Sequence, residues 1–486
     1  MGLDLGKLIK GVAQDVGHKI EKAANGAAHA VENAVKDTVH AAGTAVGELS
    51  KLPEHVQDTI STLTKKRKKT SLTVRIHNQW GSSIKNVSLA HRYLEKLPNV
   101  PIVGQITSLF GFCPQSMSIS IYNRLYADKL DNERKSKSSE VEFYVYGGNT
   151  GNDYWIIKFE ADGKIWSHDG ELTHTLTHKD HEASGGEIVC HIVKDSGHPK
   201  IRITTPSSTE CFALQGYPLP SDDARPVYAI AHKCNRTHDV AHAIHLGYNA
   251  VECDLEYDKK SGVMHVNHTT IEALNIGPGL KLDEWLDQAK EILDLYPDEF
   301  NLIIFDSKFA AELNAEESSK IFVDIRKRIR DKLNTRTRSI NLIFSISKFE
   351  KRFAFDKIHG DLLDNEGIAI DESDNPEEVE KYFKSINCRN VWYGDGIFVA
   401  GTKKIDEPIK TGVRLRDEHK IIKKVYAWTL KDPDSIKRFF VNYKVDGVFT
   451  NPEGLFDGSS AELSLIRNER SIRLSKRGDK PFEVHK

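Results

Sequence analysis

The sequence predicts a multidomain protein: an N-terminal amphipathic helix, a central all-β sandwich and a C-terminal (β/α)8 TIM barrel. Three observations carry this. An eleven-residue repeat occupies the N-terminus, alternating patterns bounded by turn residues fill the middle, and apolar strands alternate with helical stretches to the end. At 486 residues the chain exceeds one compact domain. Hydrophobic residues at 39% and charged residues at 28% are ordinary for a globular protein, and a net charge of −2 gives no reason to expect nucleic acid. No apolar run is long enough to span a bilayer, and the N-terminus lacks the pattern of a secretion signal. Six cysteines (113, 190, 211, 234, 253, 388) stand singly, so a disulfide framework is not expected and a cytoplasmic, peripherally membrane-associated location is.

Residues 1–70 form the first unit. Residues 8–51 divide into four eleven-residue blocks, with Ile9, Ile20, Val31 and Ala42 in register and His18, His29, His40 and Lys51 at the block ends. Eleven residues in three turns keep the weak Ala/Val stripe on one side of a nearly straight helix. A weak apolar face with basic shoulders suits the membrane interface, and the run KKRKK (65–69) would meet an anionic membrane surface. The repeat resembles the lipid-surface helices of apolipoproteins and synuclein-like proteins. A solvated helix with a charged linker is the alternative.

Residues 71–216 alternate with period two. SLTVRIHN, SMSISIYN, EVEFYVYG, YWIIKFEADGKIWSH, GEIVCHIV and KIRITT are among seven expected strands, separated by turns such as GSS and DSGHP. That spacing predicts a sandwich. NQWGSSIKNVSLAHRY and GGNTGNDYWIIKFEADGKIWS resemble the actinoporin-like, "up-regulated in Daf" β-sandwich family, which implies association with membrane surfaces.

Residues 226–486 read as the barrel. Eight strands are expected at VYAIAH, NAVECDLEY, FNLIIFDSK, INLIFSIS, GIAID, NVWYGDG, KKVYAWTL and VDGVFTN, with helices such as LDEWLDQAKEILDLY between them. The polar residues that matter fall at the C-terminal strand ends, where such barrels carry their sites: His232, Glu252, Asp254, Asp306, Lys308, Asp371, Asp395, Trp428 and Asn451. Glu252 and Asp254 are two apart on one strand and share a face, while Cys253 between them points into the barrel–helix layer. Two carboxylates flanked by His232 and His268 can hold a hard divalent cation and move protons in both directions. His265 is the rival for the second imidazole; three residues from His268 on one strand, it would face the opposite way.

IAHKCN, GYNAVECDLEY, the strand ending in His268, LIIFDSK, VYAWTL and VDGVFTNP follow in the order of the spider-venom sphingomyelinase D family and its bacterial and fungal phospholipase D relatives, which this section resembles. The tail SIRLSKRGDKPFEVH is similar to that family's C-terminal plug, with Lys480-Pro481-Phe482 where Asn-Pro-Trp is usual. The resemblance implies that Glu252, Asp254 and Asp306 bind Mg2+, and that one of His232 and His268 acts as nucleophile or base and the other as acid, with the order between them left open. Lys308 would hold a phosphate oxygen and Trp428 would pack on a choline-type headgroup, with Asp371, Asp395, Tyr426 and Asn451 lining the pocket. It implies a phospholipid or sphingolipid substrate, sphingomyelin or a lysophospholipid, cleaved on the headgroup side to a cyclic phosphate. Two alternatives remain at this level. Glycerophosphodiester phosphodiesterases share the E-x-D…H pattern, although His-Lys-Cys-Asn and Asp306-x-Lys308 are closer to the sphingomyelinase D pattern. A non-catalytic membrane-binding protein is the other.

Overall fold

The structure is a computed structural model. It describes residues 68–96, 118–146, 149–168, 170–177, 179–180, 186–195, 197–267, 280–297, 299–334, 340–371, 375–396, 405–452 and 460–484. The N-terminal repeat and His268 therefore lie outside the described residues. The chain divides into two compact units, changing from one to the other between Tyr217 and Pro218.

The described strands of the first unit form two sheets. One sheet holds β1 (Lys68–Gln79), β4 (Ser139–Tyr146), β5 (Asn149–Thr150), β9 (Glu187–Asp195), β10 (His198–Thr204) and β11 (Thr209–Ala213), in the order β11-β10-β9-β1-β4-β5. The other runs β12 (Gln215–Pro218), β7 (Lys164–Ser167), β6 (Asn152–Ala161), β2 (Ile84–Lys96) and β3 (Ser118–Leu130), with β8 (Leu172–Thr173) beside β6. The described strands outnumber the seven expected because the run YWIIKFEADGKIWSH folds back on itself as two strands, β6 and β7, and because short partner strands carry little pattern of their own. Alternation holds where the sequence shows it: β6 is buried at every second residue. Its inward residues Trp155, Ile157 and Phe159 join Leu72, Val74, Ile76, Phe143, Ile188 and Ile201 in one core drawn from both sheets.

The second unit closes eight parallel strands into a ring. They are β13 (Arg225–Ala231), β14 (Ala250–Asp258), β17 (Leu302–Ser307), β18 (Asn341–Ile346), β19 (Glu366–Ile370), β20 (Val391–Gly396), β21 (Ile422–Trp428) and β22 (Gly447–Thr450). β22 pairs back onto β13, which pairs onto β14. All eight coincide with the expected strands. A side hairpin, β15 (Val263–Val266) with β16 (Leu280–Lys281), extends β14.

Every residue of β13, β17 and β18 is buried, yet two faces are distinct. Ile230, Ala250, Leu302, Ile304, Ile343, Ala369, Trp392, Tyr426 and Phe449 fill the interior. Their neighbours Ala231, Val251, Cys253, Ile303, Phe305 and Val448 pack outward against the helices. Cys253 is thus a packing residue, as expected. β23 (Ile472–Leu474) pairs with the start of β13, and the tail then closes the interior. Phe482 packs into the interior cluster and Trp392 Nε1 donates to the Pro481 carbonyl at 3.0 Å. Gly367 makes room for that ring, since a Cβ there would lie 2.4 Å from Phe482 Cε1.

Candidate active site

The inward parity of β14 continues from Ala250 to Glu252 and Asp254, and that of β17 from Leu302 and Ile304 to Asp306. Parallel register sets Asp254 directly opposite Asp306. One oxygen from each of Glu252, Asp254 and Asp306 lies within 4.8 Å of the others, and all three residues are buried. Among the described residues this is the one cluster of acid, thiol or imidazole groups with metal-ligand spacing. Burial, and then the charges of Asp254 and Asp306, pushes the Glu252 carboxyl well above its ordinary range.

Lys308 immediately follows the last residue of β17. Its Nζ contacts Asp306 Oδ2 and lies 3.1 Å from Asp254 Oδ1. Burial would lower its pKa, but Asp306, Asp254 and Glu252 override that and raise it, so the ammonium stays charged.

His232 follows Ala231 on the inward parity of β13. Its N–H donates to the Thr450 carbonyl at 3.0 Å. Its ring is held at Nδ1, 3.1 Å from Asn451 Oδ1 and 3.4 Å from Thr429 Oγ1, while Nε2 lies 4.0 Å from Glu252 Oε2. An amide oxygen only accepts, so Nδ1 carries the proton and Nε2 keeps its lone pair toward the carboxylates. Burial, followed by the Lys233 charge, lowers the His232 pKa to about 4 against the pull of Asp254, so the ring is neutral at pH 7.

Three supporting residues escaped the sequence reading. Lys233 adopts φ of +57°, a left-handed conformation uncommon for a side-chain-bearing residue, and its N–H donates to Glu252 Oε2 at 2.7 Å. Asn235 Nδ2 donates to Asp254 Oδ2 at 2.8 Å and its Oδ1 accepts the Asp254 N–H at 2.7 Å. Thr429 is the third. The run HKCN that contains the first two was visible, but only the folded turn aims its backbone and amide at the acids.

Across the barrel, Asp371 is inward and Tyr426 donates to its Oδ1, while Trp428 Nε1 donates to its carbonyl at 2.6 Å. Burial, then the charge of Asp306, raises the Asp371 pKa well above the carboxylate range. Tyr426 is fully buried and stacks on Phe449 at 5.1 Å, so it is part of the interior wall. Trp428 is half-buried at the same end. Asp395 corrects an expectation: it shares the parity of Tyr393 and pairs across the ladder with Ala427, both in the barrel–helix layer. It is fully buried and its Oδ1 accepts from the Gly396 N–H at 2.8 Å, so the structure sets it off the interior face. The sequence placed it in the pocket because it lies at a strand end, without counting its side. His265 pairs with Glu256 on β14, two residues beyond Asp254, and Asn267 N–H donates to the Asp254 carbonyl at 3.0 Å.

The dermonecrotic toxin SPH model matches residues 222–482, more than half of the chain. The chain belongs to the dermonecrotic toxin family. A dermonecrotic toxin of Loxosceles variegata, LvSicTox-alphaIC1aiii, is 25% identical over 276 residues, covering 53% of this chain and 99% of the toxin. SdSicTox-betaIIB2ii of Sicarius cf. damarensis is 25% identical over 247 residues, covering 46% of this chain and 88% of that toxin. Among solved structures, a calcium-dependent phosphoinositol-specific phospholipase C from Pseudomonas sp. is 10% identical, with a TM-score of 0.30 over 47% of this chain and 91% of its own. The resemblance to sphingomyelinase D is therefore upheld, and the barrel is that of a phosphodiesterase. The match starts at residue 222, so the likeness of the sandwich to actinoporin-like domains lies outside it. The expected cytoplasmic location is overturned, because these relatives are toxins, which act beyond the cell that makes them. Unpaired cysteines were a poor guide: domains with cores of this size need no disulfides, and Cys190, Cys234, Cys253 and Cys388 are simply buried and free. Among the described residues no helix is long and apolar enough to cross a membrane.

Proposed function

We propose that the barrel is a Mg2+-dependent, sphingomyelinase D-like phosphodiesterase that cleaves the headgroup of sphingomyelin or a lysophospholipid. The observation that supports this most is the buried Glu252–Asp254–Asp306 triad beneath the lone pair of His232. Three carboxylates in so small a space fit a hard divalent ion, whose charge, when bound, offsets the phosphate's negative charge. Glu252, Asp254 and Asp306 would be the ligands. Lys233 N–H and Asn235 hold two of those carboxylates in place.

Lys308 would turn from the triad to a phosphate oxygen as a point charge. His232 Nε2, neutral and oriented by Asn451, would act as nucleophile or base, and His268 would protonate the leaving group. The half-buried face of Trp428, held by Asp371, would meet a choline-type cation. Attack by the lipid's own hydroxyl would give a cyclic phosphate. Residues 1–70 would bring the enzyme to anionic lipid.

Choline release from sphingomyelin or lysophosphatidylcholine tests the reading, with the product identified by mass spectrometry. Release that requires Mg2+ and disappears in His232→Ala is expected. No release with Mg2+ rejects it, and faster turnover of glycerophosphocholine than of lipid would assign the site to a small soluble diester.

A further inference from the structure

Glu462 is a fully buried carboxyl on the helix Ala461–Asn468, in the layer outside the barrel, where the proposed chemistry gives it no part. Its Oε2 accepts from Thr450 Oγ1 at 2.6 Å, and Thr450 Oγ1 lies 2.8 Å from Tyr248 OH. A hydroxyl has one proton. If Thr450 gives its proton to Glu462, Tyr248 must donate to Thr450, so the chain runs Tyr248 to Thr450 to Glu462 in one direction. Tyr248 and Thr450 are 1% and 2% exposed, so no water competes for these bonds.

Thr450 is the last residue of β22. Its side chain points outward, with Val448, into the barrel–helix layer. The next residue, Asn451, has the inward parity of Phe449 and meets His232 Nδ1. The Thr450 carbonyl also receives the His232 N–H. One residue therefore joins an outer clamp to two of the attachments of the His232 residue, its backbone bond and its bond to Asn451. The Thr450–Glu462 bond also ties the two ends of the connection that follows β22, the stretch in which Asn451 lies.

We infer that Glu462 and Tyr248 are positioning residues that act through Thr450, holding Asn451 so that its carbonyl oxygen keeps the His232 proton on Nδ1 and leaves Nε2 free to react. This rests on the proposed role of His232. Burial keeps the Glu462 carboxyl well above its ordinary range, so a neutral amide can replace it. The clamp needs an acceptor at that point, not a charge.

The test compares Glu462→Gln, Glu462→Ala and Tyr248→Phe in the full chain. Two readouts are used: choline release from lysophosphatidylcholine with Mg2+, and the 15N shifts of the His232 ring in protein carrying labelled histidine, without substrate. Loss of an orienting partner behind a site typically costs about tenfold to a hundredfold. Glu462→Ala is expected to lower kcat about tenfold with KM within about threefold, and to move the His232 15N pair from the Nδ1–H pattern toward a mixture of tautomers. Glu462→Gln should keep the wild-type 15N pattern and most of kcat, and Tyr248→Phe should fall between. A lower melting temperature with an unmoved 15N pattern in Glu462→Ala and Tyr248→Phe would mean a merely structural role and overturn the proposal. Should Glu462→Ala not fold, Tyr248→Phe, which removes one oxygen, decides alone by the same two patterns. The 15N readout needs no turnover, so an inactive wild-type protein would reject the lipid-cleaving reading and still leave the positioning role decided.

Discussion

Binding of Mg2+ to the triad should release close to one proton at neutral pH. Charges at the 4.8 Å limit between these carboxylates repel by about 3.5 kcal/mol per pair at an effective dielectric constant of ~20. A third ionised carboxylate facing two others meets about 7 kcal/mol, before the cost of burial. Lys308 at 3.1 Å from Asp254 returns about 5 kcal/mol, and it also contacts Asp306, so one carboxylate is left without a cation. The direction of the Glu252 shift agrees: without a metal, burial and the neighbouring acids favour its protonated form. A divalent ion at about 2.1 Å attracts each ligand oxygen by roughly 16 kcal/mol on the same basis, which drives the proton off. Isothermal titration with MgCl2 at pH 7, in buffers of different ionisation enthalpy, measures the number released. The expected slope is near one, with affinity rising as pH rises. Asp306→Asn should weaken binding and reduce the slope, because Glu252 then faces one acid fewer. Tight binding with a buffer-independent heat would refute the reasoning, as would no binding at millimolar Mg2+.

Three other outcomes are expected. Asp446 is surrounded by Lys424, Arg416 and Arg225; burial would raise its pKa, but these cations, Lys424 foremost, hold it at about 2. A depressed carboxylate stabilises the fold fully above its unfolded pKa of 3.8, and that contribution of about 2 kcal/mol is lost as pH falls toward 2. Asp446→Asn should cost about 3–5 kcal/mol by urea unfolding at pH 7, with a gap to wild type that narrows below pH 4. Gly367→Ala should destabilise the barrel by about 1–3 kcal/mol in the same assay. Phe482→Ala in that background should recover only part of it, since the Asn390 carbonyl also lies 2.6 Å from the added Cβ. Deleting residues 1–70 should weaken sedimentation with anionic liposomes while turnover of micellar substrate stays within about twofold; undiminished sedimentation would remove the membrane role of that segment.

The sandwich shows how far pattern reading reaches. β6 and β9 were legible because alternate residues are buried and the rest face solvent. The two-residue strands Asn149–Thr150 and Leu172–Thr173 were not, because so short a run has no period and exists only through its partner. In the barrel, continuous apolar runs gave away the strands but hid their two faces. Glu252 and Asp254 were readable as a pair because their spacing matches the pleat. Asp395 was misplaced because the same pleat, counted from Trp392, turns it outward.

The sequence by itself determined the eight barrel strands, the family and the acids and imidazole at the strand ends, since spacing along a strand decides which side chains share a face. Only tertiary structure decided what surrounds them. Lys233 and Asn235 from one turn and Thr429 from another strand end reach the site, and Glu462 stands behind it on a helix; hydrogen bonds between such segments leave no period in the chain. Barrel closure brings β22 against β13, and with it an outer carboxyl into register with an inner histidine 230 positions away.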